Sequence, residues 1–311
     1  MLLSSAARTV LVCPDVPDRF TRGEERIMQR RGKVLAALGA AMAVILAGVL
    51  GASASRGLWA SDRAEGATAS GGPASACTTS AESGPRTTEI ATAKLIIEFN
   101  STDDDLGVHG AFDDHGWKTL CVFDPNGRAV LEVGPQGQLR DLTMAGIFFE
   151  SREPPSSEFS FADLKAAFPE GQYAVRGESF DGTILVGSAT FTHDVPAPPT
   201  ITSPEIAEEP RGTKKNQVSL DDLAIGWDHV RKTVAGGPVD ITGYEVIVTK
   251  EVEDDPNGFS RPTYDVHVPA TVNSLSVPAQ FLEAGTVYEL EVLALEVSGN
   301  QTISVGFFRT A

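Results

Sequence analysis

The chain has 311 residues, 41% of them apolar, with Asp+Glu 42 against Lys+Arg 25 and a formal net charge of −17. That length allows one to three domains with cores of their own, and that charge repels phosphate backbones and anionic membrane surfaces, so nucleic-acid binding is excluded from the reading. With Gly 30, Pro 19 and 7% aromatics, the composition fits loop-rich β-structure better than a helical bundle.

The N-terminal stretch sets the expected compartment. Arg30, Arg31 and Lys33 form a basic cluster just before Val34–Leu50, an uncharged apolar run that ends in Gly51-Ala-Ser-Ala-Ser55. Basic flank, apolar stretch and small residues are the layout of a secretory signal. The same run is at the short limit for a single membrane span. Both readings keep the basic side cytoplasmic and export the rest of the chain, to a secreted, periplasmic or cell-surface location. The residues before Met28 carry Asp15, Asp18, Glu24 and Glu25, which is unlike a signal n-region, and Met28 is the expected true start. Residues 1–54 are therefore read as leader, and contact with a membrane is expected only through residues 34–50 if they are not cleaved. Residues 55–88 are Ala, Ser, Gly, Thr and Pro without apolar periodicity, a composition that cannot bury a core and predicts a disordered spacer.

A first folded unit is expected over residues 89–194. Leu95–Phe99 and Trp117–Asp124 read as strands, Pro125-Asn-Gly127 as a turn, and Arg128–Val133 as the hairpin partner. Phe161–Phe168 has apolar residues at helical spacing behind Ser160, an N-cap residue type, and predicts one short helix. A strand from Gly171 through Tyr173 and Val175 and another from Thr183 to His193 complete the unit. Four prolines between Val195 and Pro204 predict an extended, fairly stiff connector.

The second unit, residues 195–311, shows strand patterns at Leu223–Asp228, Ile241–Lys250, Tyr264–Val268, Ser274–Val277, Val287 onward and Gln301–Arg309. Trp227 in its second strand, Tyr244 in its third, the corner Leu282-Glu-Ala-Gly-Thr-Val-Tyr288 and a Ser298-Gly-Asn300 turn before the last strand together resemble the fibronectin type III family, over residues 197 to 311. That resemblance implies a seven-stranded β-sandwich with Trp227 and Tyr288 in its core. The family's adhesive Arg-Gly-Asp is absent from this chain, so integrin-type binding does not carry over. Gly171-Gln-Tyr173 has similar corner chemistry, and the first unit is immunoglobulin-like by pattern only. The expected fold class is all-β, two tandem sandwiches.

Candidate sites are sparse. Asp103, Asp104 and Asp105 in one acidic loop and Asp113 and Asp114 in another bracket what reads as one short strand. If both loops flank one edge, they offer the hard oxygens that Ca²⁺ takes; solvated turns are the alternative. Trp117, beside the second loop, is either a platform for a sugar ring or a core residue. His109 and His115, with His193 elsewhere, are an unspecific set for a transition metal. Asn100-Ser-Thr102 and Asn300-Gln-Thr302 match glycosylation acceptors. Of Cys13, Cys77 and Cys121, the last lies mid-strand as a free buried thiol by default, with a bridge to Cys77 permitted by export. The sequence holds no Gly-x-Ser-x-Gly elbow and no His-Glu-x-x-His helix. The expected function is a non-enzymatic exported or anchored interaction protein meeting a protein or polysaccharide at the cell surface, with no bound cofactor beyond that Ca²⁺. A carbohydrate-binding accessory role and a hydrolase with its site between the units are the alternatives.

Overall fold

The computed structural model describes residues 86–215, 217–251 and 261–311. The leader, the spacer up to residue 85, Cys13 and Cys77 lie outside the described residues. Among the described residues no helix is long and apolar enough to cross a membrane.

The fold is all-β; among the described residues it is built on two large apolar cores, with a small third cluster of Ile247, Leu293 and Ile303. The first half contributes β1 (Thr87–Glu89), β2 (Thr92–Asn100), β3 (Asp105–Trp117), β4 (Thr119–Phe123), β5 (Ala129–Val133), β6 (Met144–Glu150), β7 (Gly171–Glu178) and β8 (Ile184–Phe191). Two short helices interrupt them, α1 (Leu139–Leu142) and α2 (Phe161–Ala167). One sheet runs β1-β8-β7-β4-β5, and β2, β3 and β6 face it. Period-two alternation explains the core: Leu95 and Ile97 from β2, Val108 and Phe112 from β3, Leu120 and Val122 from β4, and Tyr173 and Val175 from β7 point inward together. Helix α2 starts where expected. The Ser160 side chain accepts from the Asp163 amide and the Asp163 carboxylate accepts from the Ser160 amide, a capping box.

The second half contributes β9 (Ile201–Ser203), β10 (Gln217–Val218), β11 (Ala224–Trp227), β12 (Ile241–Lys250), β13 (Thr263–Pro269), β14 (Ser274–Ser276), β15 (Val287–Glu296) and β16 (Gln301–Thr310). Sheet β14-β11-β9 packs against β13-β12-β15-β16, the seven-stranded, two-sheet sandwich that the resemblance implies; β10 adds a short parallel pairing to β16. Trp227, Tyr244 and Tyr288 are fully buried in its core. The Tyr288 hydroxyl accepts from the Glu283 amide at 2.8 Å, while the Tyr173 hydroxyl donates to the Pro169 carbonyl at 3.0 Å. The two corners are alike in position and opposite in hydrogen-bond sense, so they are similar solutions and not copies.

Three features depart from the sequence reading. Asp113-Asp-His-Gly116 is no loop: β3 runs through it, with a register shift against β6 between Asp113 and Trp117 and Gly116 at φ 132°. A bulge of this kind re-aims the strand and turns Trp117 into the core. Cys121 is disulfide-bonded, not a free thiol; its neighbours Leu120 and Val122 take the core positions. The connector is not a free strut either. Val195 is buried in the first core, the Val234 amide donates to the Val195 carbonyl at 2.9 Å, and the Ala197 amide donates to the Lys232 carbonyl at 2.8 Å.

Candidate functional site

The two halves meet along a strand edge. The start of β16 pairs in parallel with the end of β2, Gln301 opposite Glu98, Thr302 opposite Phe99 and Ile303 opposite Asn100. One eight-stranded sheet, β13-β12-β15-β16-β2-β3-β6 with β10 beside β16, therefore spans both cores. Just before the pairing begins, the Asn300 side chain substitutes for a strand: its Oδ1 accepts from the Ile97 amide at 2.7 Å. Its Nδ2 donates to Thr192 Oγ1 at 2.9 Å and to the Thr192 carbonyl at 3.1 Å. Thr302 Oγ1 donates to the Pro196 carbonyl at 2.6 Å, and Ser101 Oγ donates to the Ile303 carbonyl at 2.7 Å. The Ser298-Gly-Asn300 turn that delivers Asn300 is organised by Glu296, whose carboxylate accepts from the Ser298 amide at 2.9 Å and the Asn300 amide at 3.2 Å. Buried polar groups satisfied on both sides fix one relative orientation. Asn100 and Asn300 are both buried here, which closes both glycosylation matches to a sugar.

On the sheet face turned away from the cores, the seam carries a cluster of ionisable groups. Glu98 comes from β2, His109 from β3 and Glu150 from the end of β6, opposite His109 in register. Glu153 comes from the following loop. That loop is held to β3 at both ends. Ser151 Oγ accepts from the Val108 amide at 2.9 Å, and the Ser156 amide and hydroxyl donate to the Asp104 carbonyl and carboxylate at 2.7 and 2.9 Å. Glu153 lies across Gly107, where a Cβ would meet its Cγ at 2.7 Å. Only glycine leaves that path open. The result is a contact between Glu153 Oε1 and His109 Nε2 at 2.8 Å and an approach of His109 Nδ1 to Glu98 Oε2 at 3.7 Å. His109 and Glu98 side chains are each 1% exposed. Gln301 Nε2 donates to Glu98 Oε2 from across the seam.

Burial dominates the electrostatics. It pushes the Glu98 carboxyl up to about 7, against the His109 charge and the Gln301 hydrogen bond, which favour ionisation. For His109 burial opposes the imidazolium, but the Glu153 hydrogen bond and the Glu98, Glu153 and Glu150 charges outweigh it and the net shift is upward. Burial raises Glu150 too.

The aspartates singled out from sequence do not converge. Asp105 begins β3 and Asp113 lies eight residues along it, about 27 Å away at the rise of an extended strand. One long strand, not a short one, separates the two groups, so a shared Ca²⁺ site from both is ruled out by distance. Each group has a local task. Asp103 Oδ2 accepts from Asn100 Nδ2 at 3.2 Å, Asp104 holds Ser156, Asp105 bridges Pro155, and Asp114 Oδ2 accepts from the Ala91 amide at 3.0 Å. Trp117 is fully buried, and its ring has no face to offer a sugar. His115, six residues from His109 on the same strand, is exposed, and the His193 ring contacts the Phe168 carbonyl at 2.8 Å, so the three histidines are not a set. The residues that do converge were signalled only faintly, by a glutamate inside the apolar strand Leu95-Ile-Ile-Glu-Phe99. A pocket of about 230 Å³ at the junction is lined by Ile97, Phe99, Leu106, Phe161, Val195 and Val234, with Ser156 and Ala235. Those residues include neither a histidine nor a carboxylate.

No family model matches the chain, and no curated protein matches it in sequence. Among solved structures it is similar to the third fibronectin III domain of human KIAA0343 protein, 17% identical over 38% of this chain and 84% of that one, with a TM-score of 0.27. It is similar to the FN1–FN3 domains of chicken CNTN1, 12% identical over 73% and 69%, with a TM-score of 0.28. A two-domain fibronectin type III segment from chicken tenascin is 10% identical over 70% and 99%, with a TM-score of 0.26.

Proposed function

We propose that the chain is a non-enzymatic interaction or scaffold protein, exported and either released or held at the membrane through residues 34–50. It presents two β-sandwiches as one stiff body to a protein or polysaccharide partner at the cell surface. The observation that carries this reading is the joint. A parallel strand pairing and the Asn300 hydrogen bonds hold the two cores in a single orientation. Tandem modules joined by a short linker alone move freely by default; a buried polar seam is the device expected of a spacer or display arm that must keep its direction. The net charge of −17 favours a basic partner over an acidic one.

Affinity capture with the purified chain, followed by reciprocal binding with the isolated partner or polysaccharide, tests the reading. Saturable binding that weakens as salt rises, together with small-angle scattering fitted by one rigid shape, is the expected result. Turnover of ester, peptide or glycoside substrates lost on mutation of a junction residue would replace this reading with the hydrolase.

A further inference from the structure

The seam cluster has a geometry that hydrogen bonding among its own members leaves incomplete. His109 Nε2 lies 2.8 Å from Glu153 Oε1, and a carboxylate accepts only, so Nε2 carries the proton. In the neutral imidazole Nδ1, on the other side of the ring, is then a lone-pair atom; in the imidazolium it carries a proton, which a metal ion would displace. Nδ1 is buried without a hydrogen-bond partner, and the atom it faces is Glu98 Oε2 at 3.7 Å. An ionised carboxylate oxygen is also an acceptor. Two acceptors at that distance are too far apart to share a proton in a hydrogen bond. They are at the right distance to share an ion: with bonds of about 2.1 Å to nitrogen and oxygen, 3.7 Å corresponds to an angle of about 125° at the metal. Glu98, His109 and Glu153 each offer a donor atom, all within 4.8 Å of one another.

We propose that Glu98 Oε2 and His109 Nδ1 coordinate one divalent cation of the zinc class, with Glu153 orienting the imidazole and Gln301 orienting the Glu98 carboxylate. The surroundings have the form that metal sites take. A ligating histidine donates its second ring N–H to a carboxylate, and a ligating carboxylate is itself hydrogen-bonded. Glu153 and Gln301 fill these two roles. A mixed nitrogen and oxygen donor set suits Zn²⁺ and its first-row neighbours, whereas Ca²⁺ takes oxygens. Water completes the shell. Glu153, 14% exposed, is the side from which an ion enters. The second group of ligand-type residues, Glu245, Asp265 and His267, has its histidine 61% exposed and lacks the orienting carboxylate. Because Gln301 opens β16, pairs with Glu98 and donates to its carboxylate, an ion here is coupled to the seam through that hydrogen bond.

The test uses the purified chain, stripped with a chelator and titrated with Zn²⁺ against a chromophoric competitor at moderate salt and neutral pH. One ion per chain with a micromolar or tighter Kd is expected, and Co²⁺ in its place gives visible d–d bands. H109Q and E98Q each weaken binding by about 100-fold or more, while E153Q, which alters only the orienting carboxylate, and G107A, which displaces it together with Ser151 Oγ, weaken it by about 10- to 100-fold. Far-UV circular dichroism of the metal-free variants reports folding, and the near-isosteric E98Q carries the test if H109Q does not fold. Absence of saturable binding by the unmodified chain, or unchanged Zn²⁺ affinity and Co²⁺ spectrum in both E98Q and H109Q, overturns the proposal and leaves a cluster neutralised by protons alone.

Discussion

Asn300→Ala is the sharpest perturbation of the joint. The side chain is 1% exposed and makes three short contacts across the seam, to the Ile97 amide at 2.7 Å, Thr192 Oγ1 at 2.9 Å and the Thr192 carbonyl at 3.1 Å. Ile97 lies just outside the β16–β2 ladder, which begins at Glu98, so the Asn300 amide oxygen is the partner the structure gives that buried N–H. Truncation strands the donor, at about 1–3 kcal/mol, and removes two further bonds worth about 1 kcal/mol each, so the expected destabilisation is about 3–5 kcal/mol. The loss falls on the coupling between the sandwiches more than on either core. Urea unfolding followed by circular dichroism, or calorimetry, should show one transition in the unmodified chain. In the variant the midpoint drops and the transition splits in two. A loss below about 1 kcal/mol with the single transition retained would mean that the seam is wet and that its hydrogen bonds exchange freely with water, and the stiff-body argument would go with it.

Trp117→Ala should destabilise the first sandwich by about 3–5 kcal/mol as a core truncation, and soluble oligosaccharides should leave the tryptophan emission of the unmodified chain unchanged; a saturable sugar-dependent shift lost in this variant would contradict the burial. Glu245 is pushed up to about 8 by burial, then by the Asp265 charge and hydrogen bond and by Glu98, with His267 and Glu291 also on its side of the sheet. The folded protein therefore holds a proton that the unfolded chain releases near 4.5, so stability falls as pH rises from about 4.5 to about 8. In E245Q that slope is shallower in denaturation midpoints measured across the window, and an identical slope rules Glu245 out as its source. Reducing the Cys121 disulfide should lower stability by about 2–4 kcal/mol; non-reducing peptide mapping that finds Cys121 as a free thiol would rule out the bond.

The strands were legible wherever alternation faced one core. Tyr288, Leu290, Val292 and Ala294 announce β15 without help, and all four are in the second core. Helix α2 was legible because Ser160 and Asp163 are local in sequence. Strand β3 was not, because a bulge lets Asp113-Asp-His-Gly116 continue a ladder although its composition reads as a turn. The candidate site was almost wholly illegible, for a different reason. Glu98, His109, Glu153 and Gln301 come from four segments, and the last lies 203 positions from the first. Strand patterns show which face a residue takes, but not which strand lies beside it.

That distinction changes what the last hairpin means. Read locally, Ser298-Gly-Asn300 only reverses the chain between β15 and β16. In the fold its Asn300 reaches the Ile97 amide, and the next residue, Gln301, reaches Glu98. The same turn therefore sets the orientation of the two sandwiches and the ligand geometry of the buried cluster. If both depend on one turn, they should fail together. A seam loosened by Asn300→Ala should also lose Zn²⁺ affinity although no donor atom has been touched, because Gln301 no longer orients the Glu98 carboxylate. Zn²⁺ in turn should recover part of the lost stability, since an ion that binds only the folded arrangement shifts the equilibrium towards it. Unchanged affinity in that variant would mean the cluster is built by β2, β3 and the Glu153 loop alone, and that the joint and the site are independent.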